Sequence, residues 1–151
     1  MFCLGLGLSL LGCGNTGGSG FIPGTVPKVM SSTIPATGDG IGIVFDRPMT
    51  STADLQKAFS VIVNGGAPVQ PDHIDKTPDG TSIGLIFPAH FFKHSDVVTW
   101  AYNDQHPTEE IKGAEPGGKE IDNQTYGVVN NVVDPTITGA FSNGFNKGFL
   151  I

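Results

Sequence analysis

The chain has 151 residues, among them 22 glycines and 11 prolines, with a formal net charge of −6 and only 15% charged side chains. That leaves room for one domain rather than two, with too many turn formers for long helices and too few charges for a disordered acidic protein. An acidic surface with no Lys or Arg run repels phosphate, so nucleic acid is not an expected partner.

The first twenty residues read MFCLGLGLSLLGCGNTGGSG. Cys3 and Cys13 fall outside the expected folded body and lack CxxC spacing, so they read as free thiols rather than a staple or a zinc site. Leu10-Leu11-Gly12-Cys13 fits a lipobox, in which the cysteine receives a lipid after cleavage. Against this, no charge precedes Lys28, whereas a secretory signal starts positive. The apolar stretch, broken by Gly5 and Gly7, falls far short of the roughly 20 residues a membrane span needs. The favoured reading is therefore an uncleaved arm over residues 1–26, with lipidation at Cys13 as the alternative. Alternating Gly and Leu cannot fold alone, because ordering glycine costs the most backbone entropy. A neighbouring subunit is expected to order the arm through Leu4, Leu6, Leu8 and Leu10.

The body, residues 27–134, reads as short strands between breakers. Lys28 to Ser32 is the first, and Ile34 to Gly40 is a breaker run. Ile41, Ile43 and Phe45 then alternate as a half-buried strand does, up to Asp46-Arg47-Pro48. One short helix is expected over Leu55 to Ala58, capped by Ser51 or Thr52. Phe59, Val61 and Val63 alternate before the turn Asn64-Gly65-Gly66, and a weaker strand spans Val69 to Ile74 between prolines. Asp39-Gly40 and Asp79-Gly80 are turn formers, and Ile83, Leu85 and Phe87 alternate after the second. In the strongest strand, Val97 to Tyr102, the shared face of Val98, Trp100 and Tyr102 is assigned to the core, since two large exposed aromatics would be costly. A charged loop runs from Asn103 to about Ile121, and Tyr126 to Val133 closes the series. About seven strands with one stubby helix predict an all-β, immunoglobulin-like antiparallel sandwich with extended N- and C-terminal arms. A doubly wound α/β sheet is excluded because no long helix separates the strands.

The order Ile43-Val44-Phe45-Asp46, Met49, then Ala58-Phe59-Ser60-Val61-Ile62-Val63-Asn64-Gly65 resembles the SwmB-type repeat of bacterial surface proteins. Ser95 to Tyr102 stands where that family has a strand ending in a tyrosine. Glu120-Ile121-Asp122 and Val128-Val129-Asn130-Asn131 match its later segments. The resemblance covers about residues 27–133 and implies a sandwich used in adhesion or surface display, with no catalytic residues to carry over. It departs from the family in holding one copy where tandem repeats are usual.

The C-terminal tail, residues 135–151, places Phe141, Phe145 and Phe149 four apart, with Gly144 and Gly148 before the last two. Glycine disfavours a helix there by about 1 kcal/mol each. Each phenylalanine can bury about 150 Å² in a partner's groove, or the tail can fold back over an edge of its own sandwich. Both ends of the chain resemble the termini of small tailed-phage structural proteins.

Signals for chemistry are few. His90 and His94 lack a third ligand and an HExxH glutamate, and read as a surface pair. His73 beside Asp72 and Asp75 reads as a solvated loop. No serine sits in a GxSxG elbow, no DxDxDG run suggests calcium, and the glycine-rich start lacks a phosphate loop's Lys. No catalytic residue, metal or cofactor is expected. The leading expectation is a phage virion structural protein, a capsid decoration or cement component. It would be anchored to other virion proteins through its tails, in a homo-oligomer or symmetric assembly, with host-surface or glycan contact open. The alternative is a secreted bacterial lipoprotein or adhesion module at the cell surface.

Overall fold

The computed structural model describes residue 22 and residues 24–106 and 108–133. Along the chain run β1 (Val29–Ile34), β2 (Gly40–Phe45), β3 (Met49–Ser51), a 3-10 turn (Leu55–Ala58), β4 (Phe59–Val63), β5 (His73–Lys76), β6 (Ser82–Ile86), β7 (Val98–Tyr102), β8 (Ile111–Gly113), β9 (Gln124–Gly127) and β10 (Val129–Asn130). One sheet has the order β10-β1-β2-β6-β5, the other β4-β7-β9, and β3 pairs with β8 as a separate ribbon. Neighbours are antiparallel except for β1 and β10, which are parallel, with Thr33 opposite Val129 and Ile34 opposite Asn130. With β9 and β10 counted as one strand that changes sheets, seven strands form the ABED and CFG sheets of an immunoglobulin-like sandwich.

The period-two pattern is realised as burial. Ile41, Ile43 and Phe45 of β2, Ile83 and Leu85 of β6, and Val98, Trp100 and Tyr102 of β7 all face the space between the sheets. Trp100 is wholly buried between Phe59, at 5.6 Å between ring centroids, and Tyr126, stacked at 4.0 Å. Its indole Nε1–H would be an unmet donor there, and it donates to Ser32 Oγ of the opposite sheet at 2.8 Å.

The structure corrects several expected boundaries. Ile34 belongs to β1 and is fully buried, so the breaker begins only at Pro35. In the first turn it is Gly38, not Gly40, that has positive φ (66°). The space a Cβ would need there is taken by the Phe92 carbonyl. Neither Ser51 nor Thr52 caps the 3-10 turn. Ser51 is in β3, the Thr52 hydroxyl donates to the Glu110 carbonyl, and Asp54 at the cap position makes no side-chain capping bond. The expected strand Val69–Ile74 shrinks to one bridge between Val61 and Val69, and the true strand starts at His73. Pro68 and Pro71, which lack N–H donors, account for the gap. The expected turns at Asn64-Gly65 and at Gly80 form as read, all three residues with positive φ.

Register fixes which loops share an end. Residues 24–28 come in beside the loops 46–58 and 77–81 and the segments 103–106 and 108–123, joined by bonds such as Asp46 N to Lys28 O, Met49 N to Gly80 O and Ala114 N to Pro48 O. At the other end lie turn 35–39, loops 64–72 and 87–97, and residues 131–133, joined by Phe92 N to Gly38 O and Asn131 N to Ile34 O. The chain therefore enters at one end of the sandwich and leaves at the opposite end, separated by the length of β1, about 20 Å at 3.3 Å per residue.

Candidate functional site

The polar side chains with the most partners gather at these two points of passage. At the first, β2 ends in Phe45 and the chain turns through Asp46, Arg47 and Pro48 into β3. Arg47 is only 1% exposed, and a buried guanidinium needs its donors met. Its Nε donates to Asp46 Oδ1 at 2.9 Å and Nη1 to Glu115 Oε1 at 2.9 Å. Nη1 also reaches the Thr25 carbonyl at 3.0 Å, and Nη2 donates to Thr25 Oγ1 at 3.0 Å. One side chain thus ties the incoming segment to the start of β3 and the end of β8, which lie opposite each other at one end of the ribbon. Arg47 holds the Asp46 carboxyl below its ordinary range. Glu115 is held low first by its own backbone N–H and then by Arg47.

The ribbon is seated on the core by Tyr102. Its hydroxyl accepts from the Ile111 N–H at 3.2 Å and donates to Glu120 Oε1. Burial pushes the Tyr102 phenol up, and burial also raises Glu120. Glu109 is buried and accepts from Gln105 N at 3.1 Å. The stretch read as a charged loop thus contains a strand, a buried acid, and Ile111 and Ile121 in the core. Its apolar positions are too sparse to show a period.

These carboxylates oppose one another in their effect on stability. Asp46 and Glu115 have lowered values in the folded chain. Their stabilisation is complete above the ordinary carboxylate range, near pH 4, and is lost as pH falls through the folded values. The lowered Asp79 carboxylate, which accepts from the Thr77 and Thr81 hydroxyls, acts in the same direction. Glu120 is raised, so the folded chain gains stability as pH falls through its raised value toward its unfolded one. Urea midpoints measured from pH 7 downward should rise slightly and then drop below about pH 4. Glu120→Gln keeps an acceptor for Tyr102 and should abolish the rise while leaving the drop.

At the point of exit, the Asn130 side-chain amide donates to the carbonyls of Lys93 at 2.7 Å and Asp96 at 3.0 Å, with that of His94 at 3.4 Å. Asn130 Oδ1 accepts from the Val132 N–H at 3.0 Å. His94 Nδ1 lies 2.6 Å from the Val132 carbonyl, which can only accept, so Nδ1 carries the proton. His94 is therefore a fastening for the outgoing chain, while it and His90 both lie exposed, as the surface reading expected. His90 lies exposed with φ of 58°. His73 is exposed 3.9 Å from Asp75 Oδ1. Among the described residues no three His, Cys, Asp or Glu side chains are grouped to hold a metal.

Leu4, Leu6, Leu8, Leu10, Phe141, Phe145 and Phe149, and both cysteines, lie outside the described residues. The residues that sequence reading missed are Arg47, Glu115 and Asn130. Asn130 had a signal, the V-x-N end of the closing strand. Arg47 had only its place directly after a buried strand.

The described residues define an immunoglobulin-like β-sandwich with a two-stranded ribbon at one end. Among solved structures it is similar to parts of a surface-layer protein. Against a crystal structure of the S-layer protein rSbsC the TM-score is 0.57 at 19% identity, covering 78% of this chain and 15% of that one. Against the N-terminal part of the bacterial S-layer protein SbsC the values are 0.56 and 18%, covering 71% of this chain and 24% of that one. The chain therefore spans less than a quarter of either protein's length, and the likeness is one of fold. No protein-family model and no curated protein matches the chain.

Proposed function

We propose that the chain is a non-catalytic structural module of a bacterial cell surface, held there by a lipid on Cys13. The observation that carries this reading is the sandwich itself, which is similar to parts of a surface-layer protein. The SwmB-type order of residues supports it independently, and Leu10-Leu11-Gly12-Cys13 supplies an attachment chemistry. Residues 14–21, mostly glycine and small polar side chains, separate Cys13 in the sequence from the clamped segment at Thr25. Two acyl chains or more on one cysteine give stable anchoring, which a single chain does not.

The competing reading, a virion structural protein, is favoured by Phe141, Phe145 and Phe149 in a glycine-rich tail. One experiment separates them. Mass spectrometry of the chain from its native source should find Cys13 as the N-terminal residue carrying a diacylglyceryl group. Cys13→Ala should then leave the protein unlipidated and released from membranes. An N-terminus at Met1 or Phe2, on a chain recovered with phage particles, would replace this reading with the virion one.

A further inference from the structure

We propose that the sandwich is a load-bearing module, and that the parallel β1–β10 pair with the Asn130 side chain is its mechanical lock. The reading of a surface-tethered chain supplies only the origin of the load. The lock itself follows from topology.

A pull on the two ends of the body draws β1 away from its Val29 end and β10 away from its Asn130 end. Because these strands are parallel neighbours, the two tensions run along the strand axes in opposite senses. Backbone bonds between them lie across that load and must give together. In an antiparallel pair pulled from one end they would open singly. The β1–β2 ladder, from Val29–Phe45 to Thr33–Gly42, is loaded along its length in the same way.

Each point where force would enter carries its own fastening. On the incoming side, Arg47 holds Thr25 by its carbonyl and its hydroxyl, and Lys28 N donates to Asp46 Oδ1 at 3.0 Å. On the outgoing side, Asn131 N donates to the Ile34 carbonyl at 3.1 Å. The Asn130 amide meanwhile grips the 93–96 segment of the loop that leads into β7. Tension arriving at Val133 therefore meets the Asn130 and His94 contacts before it reaches the core. Since β10 is only two residues long, these side-chain bonds supply the outgoing strand with more contacts than its ladder can.

The test is to pull the full chain at constant force between marker domains fused to its two ends. Forced unfolding reports the unfolding barrier. Asn130→Ala removes the amide grip, and Asn131→Pro removes the N–H donated to Ile34. With a net contribution of about 1 kcal/mol per hydrogen bond, Asn131→Pro, which loses one, should unfold roughly fivefold faster under load than the parent, and Asn130→Ala, which loses more than one, faster still. Val61→Ala is the control, because it opens the core under β4 and leaves β1 and β10 untouched. It should lower equilibrium stability while accelerating forced unfolding less than the lock variants do. If Val61→Ala accelerates forced unfolding as much as they do, or if the parent extends without a discrete unfolding event, the proposal is overturned. The measurement needs no membrane, so it can fail while Cys13 proves lipidated, and the reverse.

Discussion

Trp100→Ala should lower the unfolding free energy by about 3–5 kcal/mol, the largest single effect expected in the core. Three losses coincide there. The indole fills the space between the sheets with no solvent exposure, so its removal leaves a cavity that a β-ladder on each side cannot collapse into. Its contacts with Phe59 and with the stacked Tyr126 go with it. Ser32 Oγ, in the opposite sheet and 7% exposed, loses its donor. Trp100 is the only tryptophan, so the comparison is made by far-UV circular dichroism in urea rather than by fluorescence. A loss below about 1 kcal/mol would mean that the two sheets do not share this side chain as their central contact.

Arg47→Ala should cost about 3 kcal/mol, near the lower end of the range for removing one partner of a buried ion pair. The lower end applies because Asp46 and Glu115 keep side-chain exposures of 15% and 12% and can recover some hydration. The change should have a local signature that a core cavity would not. The Thr25 amide, bonded to the Ile22 carbonyl at 3.3 Å, should exchange with solvent much faster once Thr25 is no longer held by the guanidinium. The acid-induced loss of stability should also become shallower, since one partner of the two lowered carboxylates is gone. Equal protection at Thr25 in both proteins would show that the incoming segment is held by something other than Arg47.

How far these side chains could be foreseen differs in an instructive way. Trp100 was placed in the core by alternation with Val98 and Tyr102, since an aromatic pair on one face of a strand has few places to go but inside. Its hydrogen bond was not foreseeable, because Ser32 is 68 residues away and lies on the other sheet. Arg47 sits beside Pro48 in what reads as an ordinary strand end. Its burial depends on Glu115, also 68 residues on, and on a segment before the first strand. The ribbon of β3 and β8 escaped notice for the same reason. Strands of three residues show no period, and these two exist because each supplies the other's backbone partners.

The amino-acid sequence by itself determined the strands that bury alternate side chains, the turns at Asn64-Gly65 and Gly80, and the all-β class, because each depends on spacing and backbone preference within a few residues. Only the tertiary structure decided that β10 leaves β9's sheet to lie parallel to β1, that the chain passes through the body from end to end, and that Arg47 and Asn130 fasten the two points of passage. Those facts depend on groups tens of residues apart meeting in space. The free energy that brings them together belongs to the packed core, not to either segment alone.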